Sequence, residues 1–491
     1  MVFAMLSFLR RPQVPSIVPT DTIVPLSAGD DNFVNKSIVM LFMMRFDDVL
    51  DPDKLRVSLE RLLERDGWRK LGARLRLNAN KKLEYHIPAE YGPKRPAIAY
   101  SHVTYDVDIE EHPLASRLPK ASLKPAVVGD SNDFLEFTHA YNGPKSLDDY
   151  IYHDRPQLAL HIVSFNNATL VSLNWLHTLF DALGRQELIT AWTSMLHGRE
   201  NDIKPFHGFD EDPLADLGTK PKEEYVLANK LLSKWQMAWF VLRQIWETIY
   251  YREEETKIVC MPAAYLKKLK SLVNQEVVAQ HDGSATAFAS EGDVVSAFIT
   301  RMFIRHLPKT SNQTIVIMNA FGMRSALADD YLPPDRAYVG NAVTAVLAIS
   351  SAKDILTHPL SYTAWAVRKA IMDQGSREQL EARIAAQKAI GFPLYGDGGM
   401  QMVTVSNWSK AKFFEADFSA AVVKKGADSV TRSGRLGKPS FILGDTISKG
   451  LSLRNASNVV GRDADGNVWL GGVLRKGLWA KIAEALETDS Y

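Results

Sequence analysis

Leu173-Asn-Trp-Leu-His177-Thr-Leu-Phe-Asp181-Ala-Leu-Gly184 marks a change of period in the chain. Upstream, an apolar run from Leu158 to Phe165 is followed by Asn166-Asn167-Ala168, and a second apolar run leads up to His177. Apolar β-formers bracketing an Asn-rich turn predict a β-hairpin whose second strand ends at the histidine. Beyond Asp181, Leu183, Leu188, Ala191, Trp192 and Met195 follow a helical spacing, so a helix is predicted from about Asp181. A histidine at the exit of a buried strand stands on rigid backbone and can still face a cleft. An aspartate at a helix start is stabilised by the unpaired N–H groups and by the positive end of the dipole. A neutral imidazole held there can take a proton from an alcohol, and a fixed charge nearby can lock the loop that aims it. Taken alone, His-x-x-x-Asp also describes a half-buried histidine beside an ordinary helix cap, so the rest of the chain must decide.

The 491 residues suffice for two or three domains. With 46% hydrophobic and 23% charged residues, the composition is that of a globular protein with a large core. A net charge of +1 supplies no electrostatic grip on nucleic acid or on an anionic membrane. Cys260 is the single cysteine, which excludes an intrachain disulfide and a C-x-x-C metal site. Met1 to Leu9 is apolar but short, and Arg10-Arg11 follow it where a secretion signal would have them in front. A monomeric, cytoplasmic protein is the expectation.

Either side of the central stretch, strands and helices alternate. Val39 to Phe46 reads as a buried strand; Asp51-Pro52 opens a helix with Leu55, Leu59, Leu62 and Leu63 on its apolar stripe. Leu75 to Asn78 and Leu83 to Ile87 are strand-like, and residues 92–157 read as loops with short elements. Residues 201–222, rich in Asp, Pro and Gly, form the best linker candidate. A long helix is expected after it, with Leu227, Leu231, Leu232, Trp235, Trp239, Leu242 and Trp246 as core or as a bridge between halves. The second half opens with a strand from Thr256 to Met261 and a helix from Pro262 to Asn274. Ser290-Glu-Gly-Asp293 then has the arrangement of a capping box. Gly396-Asp-Gly-Gly399 is a loop, and Asp463-Ala-Asp465-Gly-Asn467 is a hairpin turn, since Val468 stands where a calcium loop needs glycine. No P-loop, zinc or haem motif is found, and no metal is expected.

Five motifs in order then carry a resemblance. Leu26-Ser27-Ala-Gly-Asp30, His177 with Asp181, Asn319-Ala-Phe-Gly-Met-Arg324 with Tyr338-Val-Gly340-Asn341, Ser406-Asn407-Trp408, and Asp465-Gly466 before a last strand and helix are similar to the motifs of BAHD-type acyltransferases. The resemblance is particularly to the fungal branch that contains trichothecene 3-O-acetyltransferase, and it runs nearly end to end. Two departures stand out. Ala182 occupies the family's glycine position after the motif aspartate, with Gly184 two residues on. The Asp-Phe-Gly-Trp-Gly-Lys-Pro motif is divided between Asp417-Phe418-Ser419 and Gly437-Lys438-Pro439, and the insertion between them reads as a surface loop.

The resemblance implies an α/β fold of two chloramphenicol-acetyltransferase-like domains, with mixed sheets and a central tunnel between them. The expected division is 1–205 for the domain carrying the motif, 206–255 for a linker and bridging helix, and 256–491 for the second domain. It implies a coenzyme A-dependent O-acyltransferase, with acetyl as the expected group and a terpenoid, polyketide or alkaloid hydroxyl as acceptor. Acetyl-CoA or another acyl-CoA is then a co-substrate, and no cofactor is bound permanently. His177 is the expected general base and Asp181 the partner of Arg324 in a loop-locking salt bridge. Ser406 and Trp408 are candidate oxyanion donors and Asp417 belongs to structural support. Ser290, Gly292 and Lys438 are candidates for the coenzyme, and Asn341 for the acceptor side. Two alternatives stay open. Condensation-type transfer from a carrier protein goes with two adjacent histidines, where this chain has Leu176 before His177. A catalytically degenerate binding protein is the other.

Overall fold

The hairpin forms as the pattern predicts. Ala159–Ser164 and Thr169–Leu176 pair antiparallel, with Ser164 opposite Thr169 across the Asn-rich turn. The structure, a computed structural model, describes residues 14–281, 287–426 and 435–488. Every residue of Thr169–Leu176 is buried because the strand is central: Ile38–Phe46 flanks its other side, antiparallel, with Met40 opposite Trp175. Ala99–Thr104 adds a parallel edge strand beside Ala159–Ser164. The fifth strand of this sheet, Phe441–Ser448, comes from the far end of the chain and pairs with Ile38–Phe46.

A seven-stranded sheet faces it. Its order is Val343–Ser351, Thr314–Gly322, Gln401–Asn407, Ala456–Arg462, Val468–Arg475, Glu254–Met261 and Ala126–Asp130. Gln401–Asn407 runs parallel to both neighbours and the other pairs are antiparallel, so both sheets are mixed. Each sheet thus holds one strand from the other half of the chain. Helices Ala263–Gln280, Glu291–Ile304, Leu360–Gln374 and Leu478–Glu487 pack their apolar residues with the seven-stranded sheet in one core. Pro52–Glu64 and Ala182–Leu196 do the same for the five-stranded sheet. The result is an α/β fold with mixed sheets. Among the described residues no helix is long and apolar enough to cross a membrane.

Three local readings change. The helix expected from Leu227 is Lys234–Tyr250, because Ser233 and Gln236 form a capping box that starts it there. It packs through Phe240 and leaves Trp235, Trp239 and Trp246 exposed, so these are not core. The helix after Pro262 runs on to Gln280. In the insertion, residues 427–434 lie outside the described residues. Its near flank is an element of the fold and no free loop: Val422–Lys424 pairs with Val49–Leu50, and Asp48 accepts from the N–H groups of both Gly426 and Gly437.

Candidate active site

The ladder between Ile38–Phe46 and Thr169–Leu176 ends at His177, whose N–H donates to the Ile38 carbonyl at 2.9 Å. The backbone turns through Thr178–Leu179, and Asp181 caps the Ala182–Leu196 helix by accepting from Gly184 N–H at 2.7 Å. Its other oxygen accepts from Arg324 Nη1 at 2.8 Å and from Ala342 N–H at 2.9 Å. Arg324 Nη2 also donates to the carbonyls of Gly340 (2.7 Å) and Tyr338 (3.3 Å). One ion pair therefore joins the histidine turn, the helix start and the Tyr338–Asn341 segment. Both oxygens of the aspartate are taken by Gly184, Arg324 and Ala342, and its work is to hold backbone.

Gly184 explains the displaced glycine of the sequence. A Cβ there would lie 1.9 Å from the Val339 carbonyl oxygen, so the helix can lie against this segment only with hydrogen at that place. Ala182, where the family has its glycine, is one of the residues lining the cavity described below.

Asn341 reaches the histidine from the other side. Its Nδ2 donates to the His177 carbonyl at 3.0 Å and to Asp30 Oδ1 at 2.7 Å, while its own N–H also donates to Asp30 Oδ1 at 2.8 Å. Ser27 Oγ donates to Asp30 Oδ2 at 2.7 Å. The Leu26–Asp30 motif thus has a physical role that the sequence alone did not assign: it fixes Asn341. Burial pushes the Asp30 carboxyl up to about 6, against the hydrogen bonds that favour its charge. Burial likewise holds the His177 imidazole below its ordinary value, helped by Arg185 and opposed by the ring's own backbone carbonyl, by Asp181 and by Asn341. The surroundings of His177 thus favour the neutral imidazole.

Between the two sheets lies a cavity of ≈ 1130 Å³. His177, Asn341, Ser406, Trp408, Ser290 and Gly292 all line it, as do Asp181 and Arg324. Trp408 Nε1 donates to Ser406 Oγ at 2.9 Å. The indole N–H is thereby engaged, and the hydroxyl proton of Ser406 is the one left to donate. The Trp408 ring lies against the strand from the far end of the chain: a Cβ on Gly444 would stand 2.3 Å from it. Ser290 caps the Glu291–Ile304 helix in a reciprocal arrangement with Asp293. The first-turn carboxylates of that helix pair with Arg462 and Arg368, so it meets the cavity without net charge.

Two residues singled out from the sequence are not brought to the cavity. Lys438 pairs with Glu415 at 3.0 Å, and Asp417 turns its carboxylate onto the Ser419 N–H at 2.9 Å. Sequence reasoning missed Arg185, Lys410 and Asp445, which line the cavity. Asp445, like Asp30, is raised to about 6 by burial. Cys260 is buried in the Glu254–Met261 strand, and burial raises its thiol.

The fold is mixed α/β, and His177 stands at a strand exit with its loop pinned by an Asp–Arg pair beside a large inter-sheet cavity. The chain belongs to the Transferase family, the acyltransferase family resembled by its motifs, whose model matches residues 132–424. Among curated relatives, "Acetyltransferase sphE" of Aspergillus fumigatus is 40% identical, with 98% of each chain covered. "Transcriptional regulator calD" of Penicillium decumbens is 44% identical, again over 98% of each. Of solved structures, F. sporotrichioides TRI101 complexed with coenzyme A and T-2 matches with a TM-score of 0.66 at 16% identity, over 96% of this chain and 97% of that one. The protein is an acyltransferase.

Proposed function

We propose that the protein transfers an acyl group, acetyl in the first place, from coenzyme A to a hydroxyl of a fungal-type secondary metabolite. The observation that carries the reading is a half-buried His177, its neutral form favoured, whose neighbouring aspartate is committed to Arg324, leaving the imidazole as a base at a cavity. A neutral imidazole can accept the alcohol proton while the oxygen attacks; an imidazole locked to a carboxylate and protonated could not. Nδ1 is buried without a partner on another residue and feels its own carbonyl, so Nε2 is assigned to the substrate.

The alcohol oxygen bonds to the thioester carbon as Nε2 takes its proton, and the carbonyl π electrons move onto oxygen. Collapse of this oxyanion re-forms the carbonyl and breaks the carbon–sulfur bond, and the imidazolium returns the proton to the leaving thiolate. Ser406, whose hydroxyl oxygen accepts from Trp408, is assigned to donate to the oxyanion. Asn341 and Asp30 hold the His177 carbonyl and with it the ring's backbone. The Ser290–Gly292 helix start is assigned to the coenzyme, and Lys410, exposed on the cavity lining, replaces Lys438 as candidate for its phosphates. The sphE name and the TRI101 complex support coenzyme A and a small-molecule alcohol as the pair of substrates. Halves 1–205 and 256–491 serve as the cavity's two walls, joined by 206–255, in a monomer of the cytoplasm.

Direct transfer requires both substrates bound together. Initial rates of thiol release at several acetyl-CoA concentrations, across a panel of alcohols, should give intersecting reciprocal plots. Parallel plots with an acyl-protein adduct in the intact mass would refute direct transfer.

A further inference from the structure

Neither packing nor the capping network accounts for Arg185 on the cavity wall. It follows Asp181 by one helical turn and is only 1% exposed. Its guanidinium is surrounded by four aromatic rings, with the carbon at its centre 3.9 Å from the centroid of Phe42, 4.3 Å from Phe413, 4.5 Å from Trp408 and 5.4 Å from Trp175. Nε and Nη2 are buried without a hydrogen-bond acceptor. The carboxylate that acts on it, Asp181, already receives Gly184, Arg324 and Ala342. Arg74 is equally buried, yet its two terminal nitrogens donate to the Gly72 and Pro96 carbonyls. A buried arginine kept for architecture is normally satisfied in that way.

Ring faces attract a cation but do not neutralise it. Burial pushes the Arg185 guanidinium well down from its ordinary value and Asp181 opposes this, yet a guanidinium keeps its proton at neutral pH, so the charge acts through a medium of low dielectric beside a cavity that also holds His177 and Ser406. Trp408 links the two groups: one face lies on the guanidinium and its N–H bonds Ser406 Oγ. Such a charge costs stability in the resting protein, and it is offset only where negative charge appears nearby.

We propose that Arg185 is an electrostatic residue of the acyl-transfer step, stabilising through space the oxyanion that forms on the thioester carbonyl. The inference rests on the acyl-transfer reading of the cavity. In the transition state the attacking proton has passed to His177 and the carbonyl oxygen carries the electrons, so a fixed cation lowers the barrier without touching either substrate. The same charge disfavours imidazolium, keeping the base neutral. Of the other charged groups, Asp181 favours imidazolium, Arg324 is paired to it and Asp30 lies behind Asn341, while Lys257, Glu291, Asp293, Arg368, Lys410 and Asp445 line the rest of the cavity.

The test uses the full chain with Arg185→Met, Arg185→Gln and Arg185→Lys. The neutral variants should fold with melting temperatures no lower than wild type, because an unpaired buried charge has been removed. Their kcat should fall at least about ten-fold with little change in KM, and the acid limb of kcat should move to higher pH. Arg185→Lys should keep the wild-type acid limb. Wild-type kcat in the neutral variants would overturn the proposal, as would a slow variant whose acid limb has not moved. Loss of folding in both neutral variants would mark Arg185 as structural and overturn it equally. Absence of thiol release by the wild type is a different result, which would fall on the acyl-transfer reading itself.

Discussion

The Asp181–Arg324 pair is where stability and site geometry meet, and Asp181→Asn probes both. Asp181 is 4% exposed and the Arg324 side chain 16%, so solvent screening is slight. The asparagine oxygen can keep the bond from Gly184 N–H, preserving the helix cap. Its NH2 group must then face Arg324 Nη1 and Ala342 N–H, donors both. Removing one partner of a buried pair costs about 3–5 kcal/mol, chiefly because the other charge stays buried and uncompensated. Arg324→Ala should cost a similar amount, since it strands the Asp181 charge and the carbonyls of Tyr338 and Gly340. The double variant has neither orphaned charge, so its loss should fall short of the sum by about 2 kcal/mol or more. Urea unfolding of the four proteins at pH 7.5 measures the cycle, with thiol release measured on the same preparations. Additive losses, within about 0.5 kcal/mol, would refute the claim that this pair locks the histidine loop.

Gly184→Ala should abolish activity and lower the melting temperature by several degrees, because its methyl group would occupy the Val339 carbonyl; a fully active, stable Ala variant would contradict that close approach. With pH, the acid limb of kcat should have its midpoint below about 6.5, since burial lowers the His177 pKa; a midpoint above 6.5 would deny the neutral base. In stability, His177 binds its proton less readily folded than unfolded, so its contribution is full above pH 6.5 and is lost as pH falls below that value. Asp30 and Asp445 act with the opposite sign: raised from 3.8 to about 6, they favour the folded state fully below pH 3.8 and lose that contribution as pH rises to about 6. Asp30→Asn should therefore lessen the loss of unfolding free energy between pH 4 and pH 6, and an unchanged difference would show that Asp30 is not the group responsible.

Much of this arrangement was legible locally. The hairpin ending at His177 and the helix beginning at Asp181 rest on alternation, an Asn-rich turn and a cap, all within one segment. The pairing of Phe441–Ser448 with Ile38–Phe46 was not legible, because alternation buries a strand without naming its neighbour. The same holds for Ala126–Asp130, which lies in a stretch of weak periodicity and finds its place only against Glu254–Met261. In the Lys234–Tyr250 helix the abundant tryptophans suggested a core, yet the sheet receives Phe240 and the tryptophans stay at the surface. Within the site, Asp181 and Arg324 could be paired from motifs. Arg185 reads in sequence as a polar position on a helix, and its burial depends on rings from Phe42, Trp175, Trp408 and Phe413, which only folding assembles. Lys438, chosen as the lysine beside a broken motif, is held by Glu415 instead.

Thiol release from acetyl-CoA by wild type and His177→Ala, with the best alcohol of the panel, tests the account most directly. Loss of a positioned base should slow turnover by roughly a hundred-fold or more. The melting temperature should stay close to wild type, because His177 lines the cavity and the ion pair behind it is untouched. Turnover at the wild-type rate in a folded His177→Ala protein would contradict the central claim.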